Sequence, residues 1–337
     1  MKATIYDVAR EAGVSIAAVS QVINGKGKIS EERRNEIFSV MERLNYRPSL
    51  IAAALTGKST YTLGLLVPDI SNPFFAEIAH AVEDQAHQRG YSLAICSTHN
   101  DDERIERYLS LLQQKSVDGL IIGTGMDNVE LLGPLIEKSV PIISIARETL
   151  SPHVLPVLVG DFAGGCMAAK HLIQLGHTRL AVIAESLKVS SSRERIRGFR
   201  QTLEAEGLNV PDAWVLAGGS DLLHEGKRNA MTLLQQTVRP TALFCCNDLL
   251  AIGALQAAKE LGFRVPEDLS IVGFDNTILA SVTDPPMTTV AQPIAEMGKL
   301  AVNLLIEELT KEGKSTIVQR TVIEPELVVR KSTGTIS

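Results

Sequence analysis

Three features of the 337-residue sequence predict an N-terminal all-α helix-turn-helix head followed by an α/β core of two parallel-sheet lobes. The first is a pair of short amphipathic segments that meet at "EAGVS" near the N-terminus. The second is a long alternation, from Thr62 onward, of continuous apolar runs with helix-length segments, the pattern of strands buried on both faces beneath helices. The third is a division of charge. Residues 1–58 carry nine Lys and Arg against six Asp and Glu, a net of +3, whereas the remainder carries 24 against 33, a net of −9. The overall charge of −6 hides this division, which suits a phosphate-bearing partner for the head alone.

In the head, Ile5, Val8, Ala9 and Ala12 recur at i, i+3, i+4 and i+7, and Thr4 and Asp7 are spaced as a capping box. Gly13 supplies a helix stop, Val14 a plug, and Ser15 an N-cap for a second helix that turns Val19, Val22 and Ile23 inward. Its outward face holds Ala17, Ser20, Gln21 and Asn24, none of them charged. An αα-corner with a glycine turn also occurs in ordinary helical cores. A solvated helix would carry Lys and Glu on that face, however, and small and amide side chains suit base edges and phosphates. The pair therefore reads as a helix-turn-helix whose second helix fits a DNA major groove. Ser30 opens a third helix, with Glu31 and Glu32 in its first turn and Ile37, Val40, Met41 and Leu44 on one face.

Next comes "RPSLIAAALTGKST", where Pro48 starts a helix and Gly57 ends it. So short a helix is marginal alone in water. A plain linker would be polar, but the residues from Leu50 to Leu55 are all apolar. The stretch reads as a helix that orders on DNA and wedges Leu55 into the minor groove. The predicted boundaries are 1–47 for the DNA-binding head, 48–60 for the hinge helix and linker, and 61–331 for the two-lobed core.

The core runs "TLGLLVPD", "YSLAICS", "DGLIIG", "VPIISIA", "TRLAVIA", "TALFCCND" and "LSIVGFD" read as strands. Helices are expected at 74–89, 102–115, 162–175, 193–206 and 249–261. The rhythm restarts after "GHTRLAVIA", which predicts two lobes. No apolar run approaches 18 residues and the N-terminus is amphipathic at once, so a cytoplasmic chain with no membrane association is expected. Cys96, Cys166, Cys245 and Cys246 lack metal-site spacing and read as reduced core thiols. His80 and His87, at i and i+7, read as solvent-facing. No metal and no cofactor is expected.

Ligands of such folds bind beyond the carboxyl ends of strands. The candidates there are Asn72, Phe74, Phe75, Arg147, Arg195, Asn247 and Asp275, aromatic and polar groups of a kind that line a pocket for a small polar molecule. Each has a plainer reading: a strand-end Asn as a turn residue, the phenylalanines as core. Asp161 and Asp248 are expected to cap the helices that follow them. No catalytic residue is assigned, because "GTGMD" lacks a third glycine and GxxxxGK[ST], HExxH and GxSxG are all missing from the sequence.

Taken in order, "TIYDVAREAGVSIAAVSQVIN", "RPSLIAAALTGK", "PDISNPFFAEI", "HLIQLGHTRLAVI", "RPTALFCCNDLLAIGAL", "VPEDLSIVGFDN" and "ELVVRKST" give the chain a full-length resemblance to the lactose repressor (LacI/GalR) family of bacterial transcription regulators. The resemblance implies a core similar to periplasmic sugar-binding proteins. It also implies a homodimer reading a pseudo-palindromic operator in double-stranded DNA, and a small-molecule effector that biases the hinge helices. It places Ile16, Ala17 and Gln21 at base-reading positions, Ser20 and Asn24 at backbone contacts, Tyr6 among the DNA contacts and Leu55 at the intercalating leucine. Ile16 falls nearer the buried edge of the helical wheel. Arg195, Asn247 and Asp275 match effector-holding positions, and Phe74 with Phe75 the aromatic wall. Ala53 stands where many relatives have Arg, and Ala146 stands before Arg147 where an acid is frequent. The leucine heptads of tetrameric members are missing after "VVRKSTGTIS", so a dimer is expected. The competing readings are a solute-binding receptor that never touches DNA and an α/β enzyme that kept the fold.

Overall fold

The computed structural model describes residues 3–23, 27, 29–46, 59–126, 128–149, 151–311 and 320–335, and the chain divides into two compact units, 1–60 and 61–337.

The first unit holds α1 (Ile5–Glu11), α2 (Ile16–Ile23) and α3 (Glu31–Arg43). The Thr4 hydroxyl accepts from the Asp7 N–H while the Asp7 carboxylate accepts from the Thr4 N–H at 2.9 Å, which completes the capping box. Ser15 Oγ accepts from the Ala18 N–H at 3.1 Å, and Ser30 caps α3. Gly13 takes φ +62°, the left-handed turn that frees α2 to leave at an angle. The apolar stripes meet in one core of Val8, Ala9, Ala12, Val19, Val22, Ile37, Val40 and Met41, with Val14 packed against it. The expected hinge helix, Leu55 and Asn24 lie outside the described residues.

The second unit contains two six-stranded sheets. In the first lobe, β1 (Thr62–Val67), β2 (Ser92–Ser97), β3 (Gly119–Ile122), β4 (Ile142–Ile145) and β5 (Val154–Val159) are joined by α4 (Pro73–Gln88), α5 (Asp102–Gln114) and α6 (Gly133–Glu137). In the second, β6 (Leu180–Ala184), β7 (Val215–Ala217), β8 (Ala242–Cys245), β9 (Ser270–Asp275) and β10 (Thr288–Ala291) alternate with α7 (Asp161–Gln174), α8 (Ser190–Ala205), α9 (Leu222–Leu234), α10 (Asp248–Glu260) and α11 (Ile278–Val282). The chain then returns. Helix α12 (Ile294–Thr310) packs Met297, Ala301, Val302 and Leu305 into the first lobe's core, β11 (Thr321–Ile323) joins that lobe's sheet beside β5, and β12 (Glu326–Val328) closes the other sheet beside β10.

The lobes are therefore interleaved rather than successive, and the sequence pattern signals neither this return nor β5, β7 and β10 to β12. Every neighbouring pair is parallel except β10 with β12. The chain passes between lobes at Gly160, at Gln292–Pro293 and at Glu324–Pro325. The Gly160 N–H donates to the Ile323 carbonyl at 2.9 Å, which ties two of these crossings together.

Candidate functional site

In the head, packing of Val19 and Val22 inward leaves Ala17 and Gln21 exposed on α2 and Ser20 half-buried. Ile16 is 41% exposed and Tyr6 67%. Ile16 thus belongs to the outward face and not to the buried edge. The exposed face carries no charged side chain among its described residues, and on α1 and α3 Arg10 pairs with Asp7 at 2.7 Å, Arg33 with Glu36 at 2.8 Å and Arg43 with Glu11 at 2.8 Å.

In the core, a cleft opens between the lobes at the carboxyl ends of the parallel strands. All seven candidates from the sequence line it, joined by Ala146, Glu185, Ser191, Leu222 and Gln292. Asn72 and Asn247 are N-caps: the Asn72 Oδ1 accepts from the Phe74 N–H at 3.1 Å and the Asn247 Oδ1 from the Leu250 N–H at 2.8 Å. Capping role and place in the cleft lining thus coincide. Capping fixes each amide oxygen and leaves the NH2 for a ligand. Phe74 and Phe75, 5.0 Å apart and edge to face, form both a wall of the cleft and part of the first lobe's core.

Arg195, on α8, is buried. Its Nε donates to Asp161 at 2.7 Å and its Nη1 to the Cys246 carbonyl, Asp275 lies 3.6 Å away, and the guanidinium covers the Phe274 ring at 3.6 Å. Burial opposes its charge, but Asp161 and Asp275 outweigh that and raise its pKa. Burial also pushes Asp161 above the ordinary carboxylate range in spite of Arg195, and Asp275 well above it, with Asp248 adding to the shift. Across the cleft Arg147 faces Glu185 at 3.6 Å, first lobe to second.

Asp161 and Asp248 depart from the capping roles expected of them. Asp161 does not cap α7: Gly160 stands at the cap without a side-chain bond, and Asp161 spends its carboxylate on Arg195. Asp248 does not cap α10 either, since Asn247 does. Its carboxylate accepts from the Thr277 N–H at 2.7 Å, the Thr277 hydroxyl at 3.0 Å and the Thr289 hydroxyl at 2.7 Å. Both acids are held by partners remote in sequence, which a local capping rule does not see. Glu185, which is not among the sequence candidates, directly follows the apolar run "TRLAVIA", the position from which the strand-end rule reaches it. Gln292 follows β10, a four-residue strand with no signal of its own.

His80 and His87 are exposed and the four cysteines are free, three of them buried. No helix among the described residues is long and apolar enough to cross a membrane.

A helix-turn-helix head and a two-lobed core with a polar cleft in one chain define a ligand-responsive DNA-binding regulator. The model of bacterial regulatory proteins of the lacI family matches residues 4–49, and that of the periplasmic binding protein-like domain matches residues 169–333. The chain is 44% identical to the HTH-type transcriptional regulator DegA of Bacillus subtilis over all of both chains, and 37% identical to the HTH-type transcriptional repressor PurR of Haemophilus influenzae over 99% of each. Among solved structures, the lac repressor dimer bound to operator and the anti-inducer ONPF matches 99% of this chain and 100% of its own, with a TM-score of 0.87 at 27% identity. The chain belongs to the LacI family of bacterial regulatory proteins, and it is a DNA-binding transcriptional regulator modulated by a small-molecule effector.

Proposed function

We propose that the protein is a cytoplasmic repressor, and not an enzyme. In this reading residues 1–47 read DNA, 48–60 form the hinge, and 61–331 bind effector and dimerise on a pseudo-palindromic operator. The observation that carries it is the cleft, where Arg195, Asn247 and Asp275 of one lobe converge with Asn72, Phe74, Phe75 and Arg147 of the other. Repressor activity and the dimer on operator are properties of the relatives PurR and lac repressor, and they support the same roles here. The lining's one hydroxyl, Ser191, has no histidine beside it among the lining residues, which supports binding over catalysis.

On DNA, Gln21 pairs with adenine through its amide, Ile16 and Ala17 meet thymine methyls, Ser20 and Asn24 contact the backbone, Tyr6 is a further DNA contact, and Leu55 enters a base step. The effector engages Asp275 and Arg195 and rests an apolar face on Phe74 and Phe75. A solute-binding receptor would not need an exposed α2 face of this kind.

Selection on random duplexes tests the DNA half. The Gln21→Ala variant is expected to lose about 1–3 kcal/mol of discrimination at one symmetric pair of positions, and an unchanged preferred sequence rejects the role. On the operator so obtained, Asp275→Ala is expected to abolish the effector response, and a normal response rejects the cleft assignment.

A further inference from the structure

We propose that Gly27 is a positioning residue for base recognition: its bare backbone holds the Gln21 amide in place for the groove and so sharpens the base preference that Gln21 carries. The proposal rests on the DNA-reading role of Gln21 and adds to it a residue with no side chain of its own.

Gly27 follows the end of α2 by four residues and is exposed, as Gln21 is. Its φ of +93° lies in a region that residues with a Cβ rarely adopt, so the backbone alone favours glycine. Contact is a second and separate demand. A Cβ on Gly27 would stand 2.7 Å from Gln21 Oε1, 3.0 Å from its Cδ and 3.4 Å from its Cβ, and these three nearest atoms all belong to Gln21. The Gln21 side chain therefore lies along the backbone of Gly27 from its first carbon to its terminal oxygen. Any L side chain at position 27 takes the space that the amide occupies.

The consequence for DNA follows from the geometry of the amide. Two-point pairing with adenine needs both of its ends in the base plane at once, Oε1 accepting from the N6 amino group and Nε2 donating to N7. A glutamine free to sweep through its torsions loses that freedom when it pairs, and the loss opposes binding. With Gly27 beside it, one side of the sweep is closed by backbone, while the amide keeps its place on the outward face of α2. A Cβ at 27 forces the amide to swing away or the loop to shift. Ile16 and Ala17 are not among the atoms nearest Gly27, so their methyl contacts do not depend on it.

The test is selection on random duplexes with the full chain, carried out on wild type, Gly27→Asn, Gly27→Ala, Gln21→Ala and the two double variants. Asparagine tolerates positive φ better than other side chains yet brings the Cβ, so it separates contact from backbone strain. Preference is a ratio between sequences bound by the same molecules, so a variant that is partly unfolded still reports it. Gly27→Asn and Gly27→Ala are each expected to reduce preference at the symmetric pair of positions read by Gln21 at least threefold, and to leave the positions read by Ile16 and Ala17 unchanged. In the Gln21→Ala background the same substitutions are expected to change nothing at that pair. An undiminished preference in Gly27→Asn, an equal loss at every position, or a loss that persists without Gln21 overturns the proposal and leaves Gln21 as a base reader. A Gln21→Ala variant that selects the wild-type sequence overturns the base-reading role, and the proposal with it.

Discussion

Asp248 sits behind the cleft and holds its most constrained turn. Asp275 at φ +116° and Asn276 at φ +59° occupy backbone regions that side-chain-bearing residues rarely adopt, each at a cost of about 1–3 kcal/mol. The Asp248 carboxylate fixes the next residue through the Thr277 N–H and hydroxyl, while Arg330 bonds Asn276 Oδ1 at 2.7 Å and the Met287 carbonyl at 2.8 Å. Burial raises the Asp248 carboxyl to about 6 despite three donors. A carboxyl raised on folding binds its proton more tightly in the native state, so its contribution is present below about pH 4 and lost as pH rises through 6. The loss is on the order of 3 kcal/mol. In urea unfolding between pH 4 and pH 7, the stability difference between wild type and Asp248→Asn should change by about 2–3 kcal/mol. A pH-independent difference would show that Asp248 titrates normally.

At the scale of the element, two helix pairs are brought close by reciprocal glycines. A Cβ on Gly165 of α7 would lie 2.0 Å from the Arg195 carbonyl, and one on Gly198 of α8 would lie 2.0 Å from the Phe162 carbonyl. Gly226 of α9 and Gly253 of α10 meet the opposite backbones at 2.2 Å in the same way. The contacted atoms are backbone, so a methyl group is accommodated only by separating the helices. Because the first crossing carries Arg195 and Asp161, their 2.7 Å pair depends on it. Gly165→Ala is expected to destabilise the chain by about 1–3 kcal/mol or more and to weaken the effector response. Gly133, in the right-handed helical region with open space for 4 Å around where a Cβ would stand, is the control. Gly133→Ala is expected to be neutral or to stabilise by up to about 1 kcal/mol. Equal thermal-shift results for the two variants would reject the packing argument.

Among the described residues, polar contacts join the two lobes at places other than the three chain crossings. Glu77 Oε1 on α4 accepts from the Ile278 N–H at the start of α11 at 2.9 Å, and Arg147 faces Glu185. A charge-assisted bond of the first kind contributes about 1.5–3 kcal/mol when it is desolvated and less at a partly exposed site. It exists only while the lobes are near each other, so its loss shifts the core toward separation. Glu77→Ala is expected to lower effector affinity about 3- to 30-fold without changing which ligand is preferred. Unchanged or tighter binding by calorimetry would show that Glu77 has no part in lobe closure.

The features legible from the order of residues are those that rest on local chemistry. The Thr4–Asp7 capping box, the Gly13 turn and the stripes that form the head's core are complete within a few residues of chain. The continuous apolar runs of β3, β4, β6, β8 and β9 are buried throughout as expected, whereas the run at β2 is an edge strand that leaves Ile95 44% exposed, because sheet position is not written in the run itself. The strand-end rule reached the cleft because a parallel sheet places the residues after its strands along one edge. The remainder depends on contacts between residues distant in the chain. The tertiary structure carried α12 and β11 back to the first lobe, since strands of three residues have too few positions to show a period and gain their stability from a neighbour far away in sequence. It gave Asp161 to Arg195, 34 residues on, and Asp248 to Thr289, 41 residues on, because a buried carboxylate is held by whichever donors the fold brings to it. Gln292 became part of the cleft for the same reason: a four-residue strand and a crossing between the lobes placed it beside Asp275.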